Sequence, residues 1–130
     1  MIDLHTAVID FLQEPGYEIA GMVEDRFFGG RHVPPEGYEV DDGPCVVFRV
    51  RGGGPDYDDA LLIPSVQFKV YGHNEERAFE VYRALYDRLH LGHDGTILHA
   101  ESEVLGQPLE EVETEWRYVL AFFLVMVRQT

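Results

Sequence analysis

The nine residues from Val119 to Val127 contain no polar side chain, and this run restricts the possible folds more than any other part of the sequence. It is rich in β-branched and aromatic residues, the types that suit a strand. Drawn extended, it places Tyr118, Leu120, Phe122, Leu124 and Met126 on one face and Val119, Ala121, Phe123, Val125 and Val127 on the other. A strand that is apolar on both faces must be covered on both. The chain's own helices or a neighbouring subunit can provide that cover, so oligomerisation is a first expectation, with Phe123 and Val125 as candidate contacts. The run is far too short to cross a bilayer as a helix, which takes about 18 to 20 residues.

Other segments supply the remaining elements of one α+β domain over residues 1–130, a mainly antiparallel sheet packed by two helices. Leu4, Ala7, Val8, Phe11 and Leu12 recur at helical spacing over residues 2–14, and Pro15-Gly16 stops the pattern. Ile19 to Phe28 reads as a strand ending at Gly29-Gly30, followed by a Pro- and Gly-bearing loop to Gly43. Cys45 to Arg51 alternates Val46, Phe48 and Val50 against Val47, Arg49 and Arg51. Leu61 to Tyr71 alternates Val66, Phe68 and Val70 inward with Ser65, Gln67, Lys69 and Tyr71 outward. These two strands should pair antiparallel around a hairpin loop from Gly52 to Asp59. Asn74 caps a helix whose stripe is Ala78, Val81, Tyr82, Leu85 and Leu89, with acids at its start, Arg88 and His90 at its end, and Gly92 as the stop. Thr96 to Leu105 reads as a further strand, and Gly106 to Glu115 as an acidic connection into the final strand.

Charge narrows the function. Twenty-four acids against 10 bases leave a net charge of −14, which opposes binding to nucleic acid phosphates. The single cysteine, Cys45, lies in an apolar run and reads as a small buried hydrophobe. The start of the sequence lacks the pattern of a secretory signal, so synthesis in the cytoplasm is expected. Gly52-Gly53-Gly54-Pro55 has no lysine followed by Ser or Thr, as a phosphate loop requires. Asp56, Asp58 and Asp59 lack calcium-loop spacing. His90 and His93 have no third ligand at a diagnostic distance, which favours a helix-end charge role over zinc. Glu110, Glu111, Glu113 and Glu115 read as a solvated charge run. No catalytic residue, metal or cofactor is expected.

The order of elements, together with Arg26-Phe27-Phe28-Gly29-Gly30-Arg31, Pro44-Cys45-Val46-Val47-Phe48, Val66-Gln67-Phe68-Lys69-Val70-Tyr71-Gly72 before a helix, and Trp116-Arg117-Tyr118 opening a final strand, resembles the tail-terminator and tail-completion proteins of long-tailed bacteriophages. The resemblance spans nearly the whole chain and rests on order and spacing. It implies a non-enzymatic virion protein that forms a ring, typically a homohexamer, on the head-proximal end of the tail tube. Its partners would be its own copies, the tail tube protein and the head connector, with DNA passing through the lumen unbound. The contacts expected are Arg31, Arg49, Arg51, Asp56, Tyr57, Asp58, Phe123 and Val125, with the loops 30–43 and 52–59 leaving the domain body. The alternatives are a head-tail connector or other neck protein, a small metal-dependent enzyme using His90, His93 and the 56–59 loop, and a monomeric binding module.

Overall fold

Asp3 starts the first helix, α1 (Leu4–Leu12), by accepting hydrogen bonds from the backbone N–H groups of His5 and Thr6 at its carboxylate. That satisfies donors which a helix start otherwise leaves without partners. Together with α2 (Glu18–Val23) and α3 (Glu75–Leu89), it packs on a five-stranded sheet of β1 (Phe27–Gly29), β2 (Cys45–Pro55), β3 (Leu61–Gly72), β4 (Ile97–Glu110) and β5 (Arg117–Arg128). The computed structural model describes residues 3–55 and 61–128, with the side chains of residues 52–62 outside the description. The strand order is β1-β2-β3-β5-β4. Only β1 and β2 run parallel, and the other neighbours are antiparallel.

The fold is therefore α+β, as the periodicities indicate, with differences in detail. Ile19 to Phe28 is not one strand. Ile19, Met22 and Val23 share a helical face, and α2 buries Ile19 and Val23. Gly21 lies on the open side, where an added Cβ would meet nothing within 4 Å. Glu24, at φ 59°, ends the helix, so only Phe27–Gly29 is extended. β4 also continues through Pro108 to Glu110. An edge strand tolerates proline because its outward N–H needs no partner.

All three α-helices lie on one face of the sheet. Their buried residues, among them Val8, Phe11, Leu12, Ile19, Val81 and Leu85, join a core with Val46 and Phe48 of β2, Val66, Phe68 and Val70 of β3, and Val119, Ala121, Phe123, Val125 and Val127 of β5. Phe123 and Val125 are thus fully buried beneath the chain's own helices and are not contact residues. Burial of each such side chain contributes about 1.5–3 kcal/mol, and the parity of β5 commits one complete row of them to this layer.

α3 is positioned tightly at both ends. The Asn74 side chain accepts from the Arg77 N–H at 2.7 Å. A Cβ on Gly72 would come within 2.6 Å of the Ala78 backbone nitrogen, so glycine allows β3 to turn directly into the helix. At the far end Arg88 is 4% exposed. Its Nε donates to the Phe11 carbonyl at 3.0 Å and its Nη2 to Glu14 at 2.6 Å. The guanidinium also lies over the Phe11 and Tyr17 rings, 3.5 and 3.9 Å from their centroids. One buried cation thereby ties the end of α1 to α3. Removing it leaves a carbonyl without its donor and two rings without their contact. Arg88→Ala should cost about 3 kcal/mol, read as a lower urea midpoint, and Arg88→Lys should recover only part of that, because an ammonium cannot stack and fork at once.

Candidate functional site

Among the described residues no α-helix lies on the opposite face of the sheet, and strand register determines what it displays. Rungs across β2, β3 and β5 bring together Cys45, Tyr71 and Tyr118, then Val47, Lys69 and Leu120, then Arg49, Gln67 and Phe122, with Ser65 and Leu124 next. β4 adds Leu109, Gln107, Val104 and Glu101 along the same rows. Leu120, Phe122, Leu124 and Met126 remain half-exposed, and Val104 and Leu109 are exposed. Arg51 lies over the Phe122 ring, 4.2 Å from its centroid, and 3.8 Å from Glu103. Glu103 accepts a hydrogen bond from Ser65 at 2.6 Å.

One end of this face is covered. The segment 31–44, expected to leave the body, folds back over the sheet. Tyr38 packs with Cys45, Val47 and Tyr71 in a small second core that Phe28, Val40, Trp116 and Tyr118 border. The Tyr38 ring meets Trp116 edge-on at 5.6 Å, and its hydroxyl donates to the Gly43 carbonyl. Arg26 pins the end of the segment by donating to the Pro44 carbonyl at 2.9 Å and to the Met22 carbonyl at 3.3 Å. Burial pushes the Tyr38 hydroxyl well above the ordinary tyrosine range, and it pushes the Cys45 thiol up to about 12. Cys45 is fully buried, a small hydrophobe as its sequence context indicates.

A cleft of about 670 Å³ opens between the 32–38 segment and the 111–116 turn, lined by His32, Pro34, Pro35, Tyr38, Lys69, Glu111 and Trp116 among others. Lys69, 6% exposed, forms its floor. Its ammonium is 3.8 Å from Glu111 and 4.9 Å from the Tyr118 ring centroid. The Glu111 carboxylate also accepts a hydrogen bond from the Tyr71 hydroxyl. Burial, and then that carboxylate, raise the Tyr71 hydroxyl far above its usual range. The β4–β5 turn presents Glu111 and Trp116 together, because the Glu111 N–H donates to the Trp116 carbonyl at 2.9 Å. At the rim, His32 is held below its ordinary value by the positive charge of Lys69, then by burial and Arg49, with Glu111 opposing.

Of the residues singled out in sequence, Arg49 and Arg51 lie on this open face. Arg31 is exposed beside it, its Nε donating to the Val33 carbonyl at 3.2 Å. Asp56, Tyr57 and Asp58 lie outside the described residues. The sequence also assigned Glu111 to a solvated run, whereas it is the partner of Lys69 and Tyr71. The His90 Nδ1 accepts from the Ser102 N–H at 3.1 Å, and the ring stacks on Tyr86 with centroids 4.8 Å apart. The Leu91 N–H bonds the Ala100 carbonyl and the Gly106 N–H bonds the Tyr82 hydroxyl, so a side chain of α3 and the chain just after it take up part of the outer edge of β4. Register shifts along β4 blunt that edge further. The exposed face, more than this edge, is the surface available for contact.

No helix among the described residues is long and apolar enough to cross a membrane. No known protein-family model matches the sequence, and a search among curated proteins returns no match.

Two measurements check this geometry. In a double-mutant cycle of Lys69→Met and Glu111→Gln, followed by urea denaturation, the pair should show a coupling of about 1–2 kcal/mol; a value near zero would mean that the two charges do not sense each other. Cys45 should resist thiol reagents in the native protein and react only as fast as the chain opens, so its labelling rate should rise with urea in step with unfolding.

Proposed function

We propose that this chain is a ring-forming structural subunit of a long-tailed phage particle, of the tail-terminator kind, acting at the head-proximal end of the tail tube by shape and not by catalysis. The observation that carries the proposal is the row Leu120, Phe122, Leu124 and Met126, half-exposed on a sheet face without helical cover. Alternating apolar and charged groups on one face, including Arg49, Arg51 and Glu103, suit the apolar centre and polar rim of a protein interface. A ring requires that one patch of each subunit meet a different patch of the next, and a domain with one covered and one open face is built for such directional contact. The net charge of −14 supports a role beside DNA without binding it, because an acidic wall repels phosphates. The order of elements, which the structure follows only roughly because α2 takes the place of most of the expected first strand, is the ground for preferring a tail terminator over other ring proteins.

Mass measurement across a concentration series, alone and with tail tubes of the phage that encodes the chain, tests the proposal. The native chain should gain mass toward a closed oligomer, or cap tube ends as seen by negative-stain microscopy. A Phe122→Glu, Leu124→Glu variant should keep its circular dichroism and urea midpoint, yet remain monomeric and leave tube ends bare. A native chain that stays monomeric at every concentration and ignores tubes would overturn the proposal. Rings that bind only the portal side would replace it with a neck-connector role.

A further inference from the structure

Val112 is 93% exposed, the most of any large apolar side chain among the described residues. It lies in the turn between β4 and β5 with Glu113 and Glu115, which are exposed as well. The turn is firmly held: the Glu111 N–H donates to the Trp116 carbonyl at 2.9 Å, and the Glu115 N–H to the Glu111 carbonyl at 3.0 Å. Glu111 is committed to Lys69 and Tyr71. Glu113 and Glu115 enter no ion pair among the described residues. The open face of the sheet carries the complementary properties. Phe122 and Leu124 are half-exposed there, and the exposed Arg49 and Arg51 stand on the β2 side of them. Arg49 shares a rung with Gln67 and Phe122, which sets it roughly 10 Å from β5 at about 4.8 Å per strand spacing. Arg51 lies over the Phe122 ring. The acids of this face lie on the β4 side, where Glu103 is shared by Arg51 and Ser65, and Glu101 is 3.6 Å from His99. An acidic guest is therefore favoured on the β2 half. A copy cannot lay its turn on its own face, because the turn closes at Glu110 opposite Arg117 and Phe122 stands roughly 17 Å farther along β5 at about 3.4 Å per residue. A neighbouring copy can.

We propose that the β4–β5 turn of one copy, through Val112, Glu113 and Glu115, docks on the Arg49–Arg51–Phe122 face of the next copy and sets the head-to-tail order of the ring. The inference rests on the ring proposal above and names the segment that meets the open face. Val112 covers part of the Phe122 and Leu124 row, and the two carboxylates meet the two guanidiniums at its border, an apolar centre with a charged rim. Arg51 can take a further carboxylate besides Glu103, since a guanidinium donates in several directions at once. Turn and face are different patches, so the contact is heterologous and propagates in one direction until the rotation per subunit closes it. Its charges sit at an exposed rim, and it weakens as salt rises.

Charge reversal in the full chain tests the pairing. The turn is reversed by Glu113→Lys with Glu115→Lys, and the face by Arg49→Glu with Arg51→Glu. Mass is followed across a concentration series, and capping of tube ends by negative-stain microscopy is compared for the same chains. Each reversed chain alone should need a concentration roughly tenfold or more above that of the native chain to assemble, because like charges then meet. An equimolar mixture of the two should regain native assembly, since every turn then finds opposite charge on its neighbour's face. A chain carrying all four reversals should assemble by itself. Because Arg51 also meets Glu103 within its own copy, the face is reversed a second time by Arg49→Glu alone, which should show the same loss and recovery with an unchanged urea midpoint. Val112→Ser, at an exposed position, should weaken assembly with its urea midpoint likewise unchanged. If the native chain forms rings or caps tubes and the turn-reversed and Val112→Ser chains do so equally well, docking fails and the ring proposal stands. Loss in each reversed chain without recovery in the mixture would also overturn docking. If native chains gain mass without closing and ignore tubes, and the mixture restores that growth, the ring proposal fails and docking stands. A native chain that stays monomeric and ignores tubes overturns both.

Discussion

Three helices on one side of a five-stranded sheet can seal only half of what the central strands expose. β3 and β5 each carry two rows of side chains, and helical cover reaches the row of Val66, Phe68, Val70, Phe123 and Val125 while leaving the other row to different means. At one end, that means is the folded-back segment with Tyr38 and the turn with Trp116. Toward the hairpin, Leu120, Phe122, Leu124 and Met126 stay partly in water. This partly exposed apolar row is the surface that the proposed interface would use. The proposed assembly follows from that asymmetry and not from any reactive group.

The polar residues on the open face are held in a few specific partnerships. Lys69 sits among Glu111 and the Tyr118 ring, Arg51 between Phe122 and Glu103, and Ser65 on Glu103. A buried charge is tolerated only when paired, and these pairings let the sheet carry cations on an apolar face without unfolding it. The same logic operates in the core, where Arg88 joins the end of α1 to α3 through hydrogen bonds and ring contacts. Arg26 does so for the 31–44 segment, which it holds through the Met22 and Pro44 carbonyls. Arginine suits both tasks because its planar fork donates in several directions at once.

Much of the architecture was legible because its signals are local. Alternation over Cys45–Arg51 and Leu61–Tyr71 announced a strand pair, and the observed register keeps Val46 with Val70 and Phe48 with Phe68 as facing inward partners. Asn74, the acids after it and the stripe from Ala78 to Leu89 announced α3. The misreadings came where local signals compete. Ile19 to Phe28 contains strand-forming residues, yet Ile19, Met22 and Val23 fit one helical face, and burial against α3 decided for the helix. The glutamates after Leu109 carried a pattern of solvation, and nothing in their spacing could mark Glu111, whose partners stand some forty positions earlier in the chain.

By itself the sequence determined the α+β class, the hairpin, the capped helix and a last strand that is apolar on both faces, because each depends on spacing within a few residues. It also determined the acidic balance that disfavours phosphate binding. Only the tertiary structure decided which face of that strand the helices would cover, making Phe123 and Val125 core and leaving Phe122 and Leu124 at the surface. It alone brought His32, Tyr38, Lys69, Glu111 and Trp116 around one cleft. The physical reason is that alternation defines two faces without ranking them, and the ranking depends on how distant helices and loops pack across the sheet.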